Sequence, residues 1–523
     1  MDAHSFDFRD SEQIKARGID PETVKSQIEI FKRGFPFSKL VRPCGLGDGI
    51  KSVQKSDFER LITKYSRAAS SGRAMKFVPA SGAASRMFKL LLSINSRHNP
   101  NDEKYLSDLV ENGDSEWRDF VKFIDGIKGF AFYDDLKSAV SMDGHDIEGL
   151  ISEGRYKKIL GYLLNPDGLN YADFPKGLIK FHRYKDKSRT AFEEHLVEAA
   201  GYVQDKSTVA RLHFTVHEEH KDTIKSYIGE VKSLYEKTGV RYEITFSTQK
   251  GSTDTLAVDL DNTPFRDNNG RLVFRPSGHG ALLENLNDLR ADIVFIKNID
   301  NVVPDKLKHE TNTHKRVLGG YLVELQEKLF GYLESLSRND VNDRQLEEIS
   351  DFARNELSIV QSEAVEKGSR REKIKFLFFI LNRPLRVCGM VRNLGEPGGG
   401  PFWVEGEDNT VSLQIVESSQ VDIRSSEQSA VWLASTHFNP VDLVCGVRDY
   451  LGNPFDLSNY SDPNTGFISV KSYEGRELKA LELPGLWNGA MANWNTVFIE
   501  TPLITFNPVK TVFDLLRQEH QAE

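Results

Sequence analysis

The chain has 523 residues, enough for about two to four domains and at least one large core. Its 39% hydrophobic and 28% charged content is ordinary for a soluble globular protein. A net charge of −9 argues against broad nonspecific nucleic-acid binding, which needs a basic face, while leaving room for a local basic pocket.

The opening stretch, MDAHSFDFRDSEQIKARGID, is charged and has no signal-peptide core, so a cytoplasmic location is expected. Residues 1–70 mix charged and apolar positions at helical spacing, with Pro21 at a helix start, and read as a helical N-terminal region. KFVPASGAASRMFKLLLSI (Lys76–Ile94) reads as a strand, a loop of small residues and a helix. A charged helical insertion is expected over residues 95–170. A second strand-and-helix region starts at PKGLIKFH (Pro175–His182), and ARLHFTVHEEH, RYEITFSTQ and ADIVFIKNIDN supply further strands alternating with helices. That alternation predicts an α/β domain with a largely parallel sheet over 71–310.

Residues 311–372 read as a charged helical segment. Over 373–523 strands and turns are expected to dominate, in PLRVCGMVRN, NTVSLQIVE and AVWLASTHFNPVDLVCG, giving an α+β C-terminal region. KFLFFIL (Lys375–Leu381) is read as a buried strand, GEPGGGPFW (Gly395–Trp403) as a flexible loop, and Ser435–Asp442 as a structured turn near a pocket. No apolar stretch approaches the roughly 20 residues of a membrane span. Cys44, Cys388 and Cys445 are far apart, odd in number and without metal-like spacing, which fits a reduced protein.

Five segments carry candidate chemistry. In RPSGHGALLENLNDLRADIVFIKNIDNV, a Gly278-His279-Gly280 turn opens a short helix, and a strand then ends at Asn298-Ile299-Asp300-Asn301. Strand carboxyl ends are where open α/β sheets bind ligands, so Asp300 is a candidate metal ligand; its bland role is to cap the turn, with Asn301 left-handed. PASGAASRMFK (Pro79–Lys89) exposes loop N–H groups before a helix, with Arg86 available to a phosphate, although it is neither a Walker A loop nor GxGxxG.

FPKGLIKFHRYKDKSRTAFEEHL (Phe174–Leu196) holds Lys176 behind a stiffening proline, then Ser188 as an N-cap. Its Lys187 and Arg189 read as solvated charge, and Phe192 and Leu196 as a packing face. TFNPVKTVFDLLR (Thr505–Arg517) places Lys510 and Asp514 at i, i+4 where a helix begins. A surface ion pair is the ordinary reading, yet a lysine in a first turn opposes the macrodipole and calls for an anionic partner. His217 and His220 have HxxH spacing, a weak metal signal.

In their order, these motifs resemble the UDP-sugar pyrophosphorylases of the nucleotide-diphosphosugar transferase superfamily, and the whole chain resembles an uncharacterised bacterial family carrying such a core. PASGAASRMFK is similar to the family's Gly-x-Gly-Thr-Arg-Met/Leu loop, with Ala84 and Ser85 at its second glycine and its threonine. FPKGLI and KSRTAFEEHL resemble its Pro-Lys-Gly segment and the helix that follows. RPSGHGALLENL with NIDNV, and FNPVKTVFDLL, are similar to its Pro-x-Gly-His/Asn-Gly…Asn-x-Asp-Asn and Pro-Val-Lys-x-x-x-Asp-Leu-Leu segments.

The resemblance implies a GT-A-like core with a mostly parallel mixed sheet. It also implies transfer of a nucleoside monophosphate, from UTP, to a sugar-1-phosphate, with pyrophosphate released and Mg²⁺ as cofactor. By that resemblance Asp300 holds the metal, and Arg86 with the backbone of Ser81, Gly82, Ala83, Ala84 and Ser85 binds the β/γ-phosphates. Lys176 neutralises the α-phosphate and Lys510 the α- or sugar phosphate. Gln249, Gly278, His279 and Gly280 face the nucleoside, and Asn301, Asn493 and Asn495 the sugar. The expected partners are thus a nucleoside triphosphate and a sugar-1-phosphate, with no nucleic acid and no membrane. Two alternatives are a glycosyltransferase of the same fold and a noncatalytic nucleotide-sugar-binding protein.

Overall fold

The first two helices, Phe8–Ala16 and Pro21–Arg33, begin where the sequence supplies caps: Asp7 forms a capping box with Asp10, and Asp20 caps a helix with proline at its first turn. Their buried faces, Ile14, Val24, Ile28 and Phe31, pack on Leu256, Val258, Leu272 and Leu481. The N-terminal region is not all helix. Lys39–Pro43, Gly45–Leu46 and Gly49–Lys51 are strands, followed by the helix Lys55–Ser70. Their apolar runs are too short to show a period of their own.

The computed structural model describes residues 6–97, 115–360, 367–396, 398–406 and 409–522. Contacts divide the chain into two units, each assembled from three segments. The first comprises Met1–Phe77, Ser247–Ile296 and His314–Leu503; the second comprises Val78–Phe246, Lys297–Thr313 and Ile504–Glu523. The chain-order division at 70, 310 and 372 groups residues by sequence, whereas the units group them by packing.

The fold is α/β with a mixed, mostly parallel sheet. In the first unit the strand order is Gly45–Leu46, Gly49–Lys51, Asn495–Glu500, Leu385–Arg392, Asp442–Gly446, Ile293–Lys297, Ala74–Pro79. Leu385–Arg392 runs parallel to Asn495–Glu500 and antiparallel to Asp442–Gly446, while Ile293–Lys297 runs parallel to Ala74–Pro79. Buried apolar side chains cover these strands, including Phe77, Val294, Cys388, Cys445 and Phe498. All three cysteines are free and buried.

KFLFFIL is not a strand. It is the second half of the helix Arg370–Leu381, capped by Ser369 with Glu372. Periodicity cannot separate a short apolar run in a strand from one in a helix; here Ile374, Leu377 and Leu381 share the buried face and Phe379 is 68% exposed. Likewise the AVWL of AVWLASTHFNPVDLVCG ends a helix, Ser426–Leu433. All of the glycine-rich loop's PFW lies in the strand Gly400–Glu405, and its Pro397 lies outside the described residues. The 311–372 segment contains parts of helices Asp305–Ser337 and Arg370–Leu381 and all of Asp343–Leu357, with 361–366 outside the described residues.

The second unit contains the strand Val209–Val216, most of the strand Arg241–Thr248, and a hairpin in which Lys180–Arg183 pairs antiparallel with Ser188–Thr190. The predicted insertion is helical at Ser115–Asp125, Tyr133–Met142, Ile147–Ser152 and Tyr156–Leu164, with 98–114 outside the described residues. It has its own aromatic core, in which Phe130 stacks on Phe132 at 4.9 Å and Phe123 lies 5.3 Å from Phe130. No helix among the described residues is long and apolar enough to cross a membrane.

Candidate active site

Three of the five predicted segments and the Asn298–Asn301 end of a fourth meet inside the second unit. The strand Ala74–Pro79 leads into the small-residue loop, and the Ala80 N–H donates to the Thr215 carbonyl at 2.8 Å. The loop is strapped to the Pro-Lys-Gly segment: Ala84 N–H donates to the Phe174 carbonyl at 2.9 Å and Lys176 N–H to the Gly82 carbonyl at 3.1 Å. Ala84 is buried and its N–H is engaged in this way, so that donor is not free for a phosphate. Ser81, Gly82, Ala83, Ser85 and Arg86 are exposed. A Cβ at Gly82 would meet nothing within 4 Å, so neither packing nor a positive φ demands glycine there.

Lys176 opens a short 3-10 turn after Pro175, and its side chain is only 12% exposed. Its Nζ lies 2.8 Å from Asp300 Oδ2. Lys510 Nζ approaches the same oxygen at 3.3 Å from a side chain that is 55% exposed. Asp300 is buried, and its Oδ1 has no hydrogen-bond partner. Two further links join the Asp300 turn to the Lys510 segment: Val509 N–H donates to the Asp300 carbonyl at 3.1 Å, and Asn507 N–H to Asn301 Oδ1 at 3.0 Å. Behind the turn, His195 Nε2 donates to the Ile299 carbonyl at 3.2 Å.

Burial alone would raise the Asp300 carboxyl; the Lys176 and Lys510 ammonium groups more than offset it and hold it below the usual carboxylate range. Burial pushes the Lys176 ammonium down from the usual lysine value despite Asp300. One carboxylate shared by two ammonium groups leaves a surplus of positive charge at a partly buried spot. A phosphate would complete it.

Several local readings change. Lys510 and Asp514 are not a side-chain ion pair at the start of an α-helix. Val512–Leu516 is a 3-10 turn, and Asp514 Oδ2 accepts the backbone N–H groups of Lys510 at 2.7 Å and Thr511 at 2.6 Å, which frees the Lys510 ammonium for Asp300. Thr190, not Ser188, caps the helix Ala191–Ala200, in a capping box with Glu193; Ser188 is committed to the hairpin with Arg183. Arg189 is not solvated: its Nη1 lies 2.7 Å from Asp305 and 3.5 Å from Glu194. Lys187 Nζ lies 2.7 Å from the Tyr235 hydroxyl. Asn301 is not among the residues with positive φ.

Gly177, next to Lys176, has no room for a side chain, since a Cβ there would lie 2.4 Å from the ring of the buried Phe192. Gly177→Ala is therefore expected to cost about 1–3 kcal/mol by overpacking and to displace Lys176. Urea unfolding measures this, and Phe192→Leu in the same chain should recover part of the loss. Equal stability of the alanine variant and the parent would refute the expectation.

The remaining predicted residues lie in the first unit. Gly278 has φ of +77°, and a Cβ on Gly280 would meet the Pro484 carbonyl oxygen at 2.2 Å, so both glycines answer needs of their own chain. His279 stacks on Trp487 at 4.1 Å, and its Nδ1 accepts the Leu486 N–H at 2.9 Å. Beside it is a small cleft lined by Glu417, Gln420, Glu482 and Asn488, whose buried Oδ1 has no hydrogen-bond partner. Burial raises the Glu417 carboxyl, but His279 and Asn488 outweigh that and hold it low. Glu417 escaped the sequence reading although it follows the strand Val411–Val416 directly, the same strand-end signal that marked Asp300. Gln249 Nε2 donates to Asp254 at 3.3 Å, Asn495 Nδ2 to the Leu381 carbonyl at 3.1 Å, and Asn493 is exposed.

His217 is exposed and His217 Nδ1 lies 3.5 Å from Glu219. Among the described residues no group of three or more His, Cys, Asp or Glu side chains is placed to hold a metal ion. Asp300 Oδ1 would serve Mg²⁺ as a single protein ligand, with water and phosphate oxygens filling the shell, once a phosphate draws the Lys176 and Lys510 ammonium groups off the carboxylate.

The model of a family described as "Domain of unknown function (DUF4301)" matches residues 8–521. The chain belongs to this family. No curated protein matches it. Solved structures to which this DUF4301 chain is similar include the UDP-glucose pyrophosphorylase of Leishmania major, at 11% identity and TM-score 0.43 over 98% of this chain and 79% of that one. Another is a UDP-glucose phosphorylase of Trypanosoma brucei, at 12% identity and TM-score 0.42 over 98% and 80%. A third is the uridine diphosphate N-acetylglucosamine pyrophosphorylase of the same organism, at 11% identity and TM-score 0.46 over 96% and 73%.

Proposed function

We propose that the chain is a nucleotidyltransferase that moves a nucleoside monophosphate, with UTP as the preferred donor, onto a sugar-1-phosphate and releases pyrophosphate. The observation that carries this reading is the convergence of Lys176 and Lys510 on one Asp300 oxygen, beside an exposed loop tethered to Lys176. In the reaction a phosphate oxygen of the sugar phosphate attacks the α-phosphorus, and the bond from that phosphorus to the bridging oxygen of the β-phosphate breaks. Such chemistry needs charge neutralisation and in-line placement rather than a protein nucleophile.

On this reading Lys176 leaves Asp300 for the α-phosphate, Lys510 takes the incoming sugar phosphate, and Arg86 with the exposed Ser81, Gly82, Ala83 and Ser85 holds the β- and γ-phosphates. Asp300, through its unpartnered Oδ1, would hold Mg²⁺, which when bound supplies further neutralisation of phosphate charge. Asn301, beside Asp300, is assigned to the sugar; the nucleoside and sugar roles expected of Gln249, Gly278–Gly280, Asn493 and Asn495 fall in the first unit, and the residues of the second carry the reading.

The test is a matrix of nucleoside triphosphates against sugar-1-phosphates with Mg²⁺, read as pyrophosphate release. Release is expected only when both substrates are present, with UTP the best donor. Silence across the whole matrix would overturn the reading.

A further inference from the structure

The segment that delivers Lys510 is held at its far end by a buried pair of histidines in the same unit. His182 Nε2 lies 2.9 Å from His520 Nδ1, and the two rings stack at 5.2 Å with 18° between their planes. Both rings are buried. His182 Nδ1 lies 2.9 Å from Glu194 Oε1, which also accepts the Tyr184 hydroxyl at 2.7 Å. Lys308 and Arg189 pair with Glu194 Oε2. Burial alone would raise the Glu194 carboxyl, but Lys308, His182 and Arg189 bring it down to about 2.

An ionised carboxylate only accepts, so His182 Nδ1 carries a proton, and the two facing nitrogens share one hydrogen between them. Full protonation of both rings would set two N–H groups and two positive charges face to face. From this pair a short relay leads to Lys510. His520 N–H donates to the Arg517 carbonyl at 2.9 Å, Arg517 pairs with Asp514, and Asp514 Oδ2 accepts the Lys510 N–H at 2.7 Å.

We propose that His520, docked on His182, is the positioning residue that holds Lys510 at the site, and that acid undocks it. The docking stands on geometry; its effect on turnover rests on the nucleotidyltransferase reading of Lys510. The groups facing His182 are Glu194, Lys308 and Arg189, with Tyr184 and Asp305 around Glu194. Those facing His520 are His182, Arg517, Glu194 and the Asn507 backbone.

Burial, helped by the charge of His182 and Arg517, pushes His520 down to about 3, and burial pushes His182 down as well. Undocked, His520 regains an ordinary value of about 6.5. The docked state is therefore fully favoured above about pH 6.5 and loses roughly tenfold per pH unit below it, until the docked ring itself protonates.

Hydrogen exchange of the full chain over residues 507–516, corrected for intrinsic rates, tests this at about pH 7.5 and about pH 5. The wild type is expected to open roughly 30-fold more often at the lower pH. His520→Asn keeps an amide where Nδ1 sits but does not titrate, so it should stay protected at both; His520→Ala should exchange fast at both. A wild type indifferent to pH, an alanine variant as protected as the parent, or an asparagine variant with the wild-type pH response would each overturn the proposal. Pyrophosphate release is measured in parallel. The exchange pattern without any release would leave the docking standing and remove the nucleotidyltransferase reading.

Discussion

Lys176→Met is expected to lower pyrophosphate release by about 100–1,000-fold, the range found when a positioned donor to developing charge is removed. Methionine keeps most of the side chain's length and apolar bulk, so the loss falls on the ammonium. Lys176 is the larger of the two lysine effects because its side chain is 12% exposed, against 55% for Lys510, and solvent screens the second charge more. Steady-state kinetics on purified variants separates the two, with Lys510→Met expected to lose about 10–100-fold. Full turnover in Lys176→Met would sink the assignment of the α-phosphate to this residue.

Asp300→Asn should destabilise its surroundings by about 3–5 kcal/mol, because it leaves the buried Lys176 ammonium without its carboxylate. Asparagine fills the same space, so no cavity contributes. A two-unit chain need not unfold in one step. The Val509 N–H, which donates to the Asp300 carbonyl, is therefore the local reporter for native-state hydrogen exchange. Adding Lys176→Met to Asp300→Asn should return most of the loss, since the orphaned charge is then gone.

The pH dependence has a definite sign. The folded-state Asp300 carboxyl lies below its ordinary value, so its contribution is complete above about pH 4 and fades as pH falls through the lower folded value. On the acid side, the gap between parent and Asp300→Asn should shrink in that range. A double variant no better protected than Asp300→Asn would show that Lys176 is not what the carboxylate satisfies.

Much of this site could be read from residue order. Asp300 stands where an apolar run stops and Lys176 follows a proline, each a local signal; for Lys510 the helix-dipole argument singled out the residue that reaches Asp300 on the strength of an α-helix that is not there. The partner of Lys510 was not local. It lies 210 residues away at Asp300, while the aspartate four positions on is occupied by backbone N–H groups. The capping box of Thr190 and Glu193 was present in TAFE but hidden beside a serine that looked equally able to cap. Gly280 carried no mark distinguishing a ligand's approach from that of the Pro484 carbonyl. The His182–His520 pair joins positions 338 apart, and no spacing rule reaches that far.

The discontinuous make-up of the second unit bears on how the protein is made. Its three segments are Val78–Phe246, Lys297–Thr313 and Ile504–Glu523, so a growing chain emerging from the ribosome carries Lys176 and Asp300 long before Lys510 exists. Until then the aromatic helices at Gly126 and Gly129 lack Leu516, the side chain that fits against both. The seat that Leu516 fills thus stays uncovered until the third segment of the unit is made. Lys510 therefore joins Lys176 and Asp300 only after the last of the three segments has emerged.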